Sequence, residues 1–400
     1  MQLFRLKAIC VGLLLAGLSL AFAVPEARAQ SAASPDLLRQ QALALEQQGQ
    51  FAQAESIWHT LLTQNAKNVE ACAHLGLDEA RTQNYPEAIQ YYRRALALDP
   101  SLHGLRLDLA LSYFKMGKFP QAIPLLAEEL HQHPGDLRLT ILLGMAHYGA
   151  QQYDKVVPYL KAAAAKEPQS AAIRLPLAQA CLWSRQFECV LTTYKQILAL
   201  NADSAEADML AGEAYSAQSN TPAAIRQFRA AIQANPNLPQ EHFGLGYLLW
   251  TQRNYAEAEE QFRDELRISP DDGQSLAYLG DTLMHLGKSD EARASLERAM
   301  VLKSSLELAH LDLGILDVNA GHDSAAVAEF HAAIQINPKS TDARWRLARL
   351  YQKMGQHQKA AAEFAIVSKM KRESAQSLYL KMAGSHEAQA TARQKDATPQ

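Results

Sequence analysis

His131 and His133 flank Gln132, and two imidazoles this close at a helix end could begin a metal site. A bound metal needs further donors. No cysteine stands near them in sequence, so the pair reads as surface histidine. His386-Glu387-Ala388 opens like the H-E-x-x-H of a zinc hydrolase, in which two histidines one turn apart hold the metal and the glutamate is the base. No second histidine follows at that spacing. A G-x-x-x-x-G-K-[ST] phosphate loop, a nucleophile elbow and a Cys-x-x-Cys pair are likewise missing from the sequence. We therefore expect no catalytic residue, metal or cofactor. Cys181 and Cys189 fall about one turn either side of an expected bend between two antiparallel helices. There they either form a disulfide or serve as small apolar fillers. Cys72 is unpaired in both cases.

The elements that carry these residues repeat. Within residues 239–272, Leu245-Gly246, Ala258, Phe262 and Pro270 stand at offsets that recur every 34 residues from Pro35 to about Glu373. Stepping from Ala258 meets Ala54, Ala88, Ala122, Val156, Val190, Ala224, Ala292, Ala326 and Ala360. Stepping from Gly246 meets Ala42, Gly76, Ala110, Gly144, Ala178, Gly212, Gly280, Gly314 and Ala348. Two helices cross closely only where both lack bulk, so the small residue of the first helix is expected to meet the small residue of the second. The large residue four positions on, such as Tyr92, Phe228, Phe262, Phe330 or Phe364, lies one turn further and fills the adjoining volume.

A 34-residue period with Leu-Gly, then Ala-x3-Phe, then Pro resembles the tetratricopeptide repeat over some 340 of the 400 residues. The resemblance implies an all-α fold, a right-handed α-solenoid of about ten helix-turn-helix copies: 35–68, 69–102, 103–136, 137–170, 171–204, 205–238, 239–272, 273–306, 307–340 and 341–374. Copy one is worn, with Ala66 at the proline position, as suits an end cap. Pro124 and Pro158 lie deep enough in their second helices to remove a backbone hydrogen bond and introduce a mild kink. Pro176, Val190 and Ala202 depart from the pattern, so curvature is expected to differ within 150–204, unless these changes only loosen packing. A capping helix over 375–384 is expected to cover the end, followed by a disordered polar tail over 385–400.

Arg5 and Lys7 precede an apolar run from Ala8 to Val24, and Ala27-Arg28-Ala29 supplies an A-x-A site. This is the layout of a secretory signal peptide over residues 1–29, followed by a short flexible lead over 30–34. Ala21-Phe22-Ala23 is a second cleavage choice, and an uncleaved membrane anchor is the alternative, although the run is short for a span. The protein is thus expected to be exported, periplasmic or secreted. With 39 basic and 42 acidic residues, and with the leader carrying Arg5, Lys7 and Arg28 against Glu26, no basic stripe favours nucleic acid.

What remains is a surface. In the family it resembles, the first helices of successive copies line a concave face. Positions spaced i, i+4, i+7 on them point away from the small residue. Here that stripe holds Leu107, Leu111 and Phe114, then Ile141, Met145 and Tyr148, then Leu175, Leu182 and Met209. Phe243, Tyr247 and Trp250 follow, then Met284, Leu311, Ile315 and Val318. Glu206, Glu213 and Asp281 interrupt it, and Trp345, Arg349 and Lys353 close it. Such a stripe either binds an extended or helical peptide through apolar anchors or packs against the neighbouring copy. One branch of the family grips chaperone-tail carboxylates with a Lys, Asn and Arg clamp. The matching positions here carry Arg39, Leu43, His74, Leu107 and Asp108, so that clamp is absent. The expectation is a non-catalytic scaffold or adaptor of the cell envelope or extracellular space, whose partners are other proteins or peptides, with no small-molecule substrate. Alternatives are a chaperone-like holder of exported chains and a regulatory subunit of an enzyme complex.

Overall fold

The computed structural model describes residues 34–200 and 204–396, with side chains described from 34 to 376 apart from His103 and 201–203. The leader, the lead up to residue 33 and residues 397–400 lie outside the described residues. Every regular element among those described is an α-helix, and the helices come in ten pairs. The first four are α1 (Pro35–Gln47), α2 (Phe51–Gln64), α3 (Val69–Arg81) and α4 (Tyr85–Leu98). Next come α5 (His103–Lys115), α6 (Phe119–Gln132), α7 (Leu137–Gly149), α8 (Tyr153–Lys166), α9 (Ala171–Trp183) and α10 (Phe187–Leu200). Then follow α11 (Ala205–Ala217), α12 (Thr221–Ala234), α13 (Glu241–Thr251), α14 (Tyr255–Ile268), α15 (Gly273–His285) and α16 (Ser289–Leu302). The last are α17 (Glu307–Ala320), α18 (Asp323–Ile336), α19 (Thr341–Lys353) and α20 (His357–Asp396).

The chain divides between Ser112 and Tyr113 into two compact units. In the first, α1 to α4 pack each on the next. In the second, α6 to α20 do the same. First helices of adjacent copies also touch there, α7 with α9, α9 with α11, α13 with α15 and α15 with α17. The division falls in α5.

One contact recurs across six copies. Small residues were expected to meet at the crossing, and a Cβ built on Gly280 comes 3.3 Å from the Ala292 carbonyl, but the first-helix glycine lies nearest to the large residue sixteen positions on. A Cβ built on Gly76 would meet the Tyr92 ring at 2.6 Å, on Gly246 the Phe262 ring at 2.9 Å, and on Gly314 the Phe330 ring at 2.6 Å. Leu160 and Leu296 play the same part for Gly144 and Gly280, at 2.8 and 2.5 Å. The ring lies across bare backbone, and the second-helix alanines, all but fully buried, let that helix come close enough to place it. In copy one the large residue is Trp58, fully buried, with its indole Nε1 donating to Glu46 at 2.6 Å.

The bends repeat as well. Gly49, Gln83, Gly117, Gln151, Arg185, Ser219, Arg253, Gly287, Gly321 and Gly355 stand 34 residues apart, and all have positive φ, between 58° and 80°. Between copies, Asn65, Asp99, Asn235 and Asn337 each accept a hydrogen bond from the backbone two residues on, which turns the chain out of one helix toward the next. Pro124 and Pro158 sit inside α6 and α8, and both helices run their 14 residues through them. At the far end, where a separate capping helix and a disordered tail were expected, α20 continues as one 40-residue helix to Asp396.

Gly246→Leu places a branched side chain inside the Phe262 ring and is expected to destabilise the fold by about 1–3 kcal/mol. A circular-dichroism melt reads this as a lower midpoint; a midpoint equal to wild type refutes the assigned contact.

Candidate functional site

The stripe residues lie where helix geometry puts them, but the structure grades them. In the first unit Leu107 and Leu111 are half-buried. In the second, Phe114 is half-buried and edge-on to Phe119 at 5.3 Å. Ile141, Met145 and Tyr148 are half-buried against the core formed by α8 to α11. The Tyr148 hydroxyl donates to Gln179, and its ring meets Tyr153 at 5.9 Å and Trp183 at 6.0 Å. Leu182, read from sequence as a groove residue, is buried to 9%, whereas its neighbour Trp183 is 46% exposed. The i, i+4, i+7 rule steps over Trp183, which is why the sequence did not single it out. Cys181 and Cys189 form a disulfide joining α9 to α10 within one copy, and Cys72 is a free, buried thiol.

The densest part of the face lies on α13 and α15. Phe243 is half-buried and Tyr247 is 37% exposed. Tyr247 stacks with Trp250 at 5.9 Å, and Tyr278 closes on Tyr247 at 5.5 Å and on Trp250 at 5.2 Å, both edge-on. Such ring pairs contribute about 0.5–1.5 kcal/mol each beyond area burial. Tyr278 was not foreseen, because it stands one residue past the stripe position held by Ala277.

Asp281 was read as an interruption; it is a fixing point. It accepts from Trp250 Nε1 at 2.6 Å, which orients the indole, and His285 Nε2 lies 3.5 Å away. Tyr148 and Gln179 form the same bond between the equivalent positions of two earlier copies. Behind Asp281 stands Asp312 on α17, 2% exposed. Burial, and then the charge of Asp281 and its hydrogen bond, hold the Asp312 carboxyl well above the usual range, against a lowering pull from Arg346. Asp312 therefore holds its proton more tightly than an ordinary carboxyl. The arrangement can hold aromatic surface in a set orientation; among the described residues no group of donors could hold a metal ion. His131 and His133 are exposed, and the side chain of His386 lies outside the described ones.

The C-terminal end of the face differs. Trp345 is 41% exposed, and the Arg349 guanidinium lies 5.3 Å from its ring centroid. Ile315 and Val318 of α17 share with them a cavity of about 340 Å³.

The start of α13 is also unusual. Gln240 takes a left-handed conformation, φ 77°, and the helix begins at Glu241. The Glu265 carboxylate, fully buried on α14, caps it by accepting from the backbone N–H of Gln240 and Phe243. Glu241 is itself fully buried, and neither carboxyl oxygen has a hydrogen-bond partner among the described residues. Burial first, then the charges of Glu206, Asp208 and Glu265, push its carboxyl up to about 8. The folded protein thus binds a proton here that the unfolded chain releases above about pH 4.5, so this group's contribution to stability declines as pH rises through that window. Glu241→Gln is expected to flatten this dependence: near-neutral at pH 4, and more stable than wild type by roughly 1–3 kcal/mol at pH 8.5. Parallel urea titrations at the two pH values check it, and an equal effect at both refutes it.

Two models of the tetratricopeptide repeat match the chain, one over residues 39–103, 191–239 and 242–305, the other over 80–146, 147–214 and 320–381. Comparison with curated proteins returns no match. Among solved structures, that of MamA is 19% identical with a TM-score of 0.37, covering 41% of this chain and 96% of its own. The structure of YrrB, described as a TPR protein with an unusual peptide-binding site, is 20% identical with a TM-score of 0.38, covering 47% and 97%. That of Naa15/Naa10 bound to HypK-THB is 17% identical with a TM-score of 0.42, covering 82% of this chain and 62% of its own. Proteins built from this repeat act as protein-interaction scaffolds, and the fold is generally non-catalytic. The matched segments span most of the sequence, and the chain belongs to the tetratricopeptide repeat family.

Proposed function

We propose that this protein is a non-catalytic scaffold of the cell envelope or extracellular space that holds a partner's peptide or helix on its first-helix face. The observation that carries this is the aromatic group of Phe243, Tyr247, Trp250 and Tyr278, with Tyr247 open to solvent and the Trp250 indole fixed by Asp281. Rings in a set orientation lose little freedom on binding, and large aromatics dominate interface energies. Export is supported by the layout of residues 1–29 and by the Cys181–Cys189 disulfide, a bond that persists in oxidising compartments.

Affinity capture from the native envelope fraction, with the chain from residue 30 onward as bait, is expected to retain a defined partner. Replacing both Tyr247 and Trp250 by alanine is expected to weaken that retention about tenfold or more with unchanged helical content. Retention equal to wild type returns these rings to a packing role, and promiscuous retention of denatured proteins favours a chaperone-like holder instead. Fractionation of the source cells is expected to yield a chain beginning at Gln30 outside the cytoplasm; recovery of the full-length chain in the cytosol refutes the location.

A further inference from the structure

The 340 Å³ cavity lined by α17, α18 and α19 combines apolar and basic side chains. Its floor is apolar, made by Ile315, Val318, Phe330 and Leu350, and Trp345 stands at its rim. Arg346, Arg349 and Lys353 also line it, all from one helix. Arg346 Nε pairs with Asp342 at 3.0 Å and Lys353 Nζ with Asp323 at 2.8 Å. Both pairs are partly exposed, and such pairs are weak. Arg349 is exposed, rests on the Trp345 ring and forms no ion pair with any described residue. Earlier on the same face the exposed charges are mixed, Arg138 on α7 and Glu206 and Glu213 on α11. The cavity lining thus carries three basic side chains and no acidic one beside an apolar hollow.

Building on the scaffold reading above, we infer that this cavity is a subsite for a partner segment that presents an apolar side chain next to an internal aspartate or glutamate. The apolar group fills the hollow beside Trp345, and the carboxylate meets Arg349, with Arg346 and Lys353 within the same column. Along α19, residues 346 to 353 span about 10 Å. About three residues of an extended chain cover that length, which matches spaced side-chain carboxylates better than one chain terminus.

The test uses fluorescein-labelled, C-terminally amidated dodecapeptides built of four Leu-Asp-Ser, Leu-Ser-Ser or Leu-Lys-Ser units, so that no terminal carboxylate takes part. Anisotropy titrations of the whole chain are expected to show the aspartate peptide binding about tenfold more tightly than the serine peptide and the lysine peptide binding least. The preference is expected to weaken with salt and to vanish in Arg349→Glu, an exposed change whose folding a circular-dichroism melt verifies. Arg226→Glu makes the same charge change on α12, away from the cavity, and is expected to keep the preference. Equal binding of all three peptides, or a preference that survives Arg349→Glu, overturns the subsite. If that equal binding is lost on Tyr247→Ala, the groove reading stands without it. Absence of binding by every peptide overturns the subsite, while the groove reading then rests on the capture experiment. Self-association abolished by Arg349→Glu would assign the cavity to a second copy and overturn the peptide occupant.

Discussion

A flat ring or a leucine pressed on bare helix backbone is the contact on which this architecture depends. Gly76 against Tyr92, Gly246 against Phe262 and Gly280 against Leu296 leave less room than a methyl group requires. That closeness sets the distance between the two helices of a copy, and so sets which residues of the first helix turn outward. The aromatic face of α13 and α15 accompanies this spacing: Tyr247 stands about 100° around the helix from Gly246, and Trp250, one turn on, reaches Asp281 of the next first helix.

The acids on that face have a structural meaning beyond charge. Asp281 and Asp312 cross three consecutive first helices with Trp250, forming a chain of an indole and two carboxyl groups. Removing one partner from such a network leaves another unsatisfied, so its members act as a unit. Aromatic surface on this protein is therefore held from behind by polar groups, which distinguishes it from a merely greasy groove.

The fold was legible because a period of 34 leaves small residues at fixed places, and every one of them is buried. What could not be read from Gly246 or Ala258 alone was their partner, since periodicity locates a position without saying what faces it. The site was legible only in outline. Spacing along one helix selected Tyr247 and Trp250, but it chose Leu182 over Trp183 and passed over Tyr278, because whether a side chain is covered depends on the next copy. Asp281 looked like a gap in an apolar series until its distance to the Trp250 indole showed it to be an acceptor. The C-terminal helix was underestimated because polar composition from about Ala383 was taken to preclude order, while helix propensity among its alanines, glutamines and lysines runs the other way.

The ten left-handed bends carry a last implication. Glycine occupies this conformation without steric penalty, whereas other residues incur roughly 1–2 kcal/mol. Both end copies have glycine there, at Gly49 and Gly355, while four consecutive inner bends carry Gln151, Arg185, Ser219 and Arg253. A unit flanked on both sides gains interface free energy that an end unit lacks, so conformational strain is tolerated in mid-array and avoided at the ends. The middle of the array is thus where mutational drift in the bends meets least resistance.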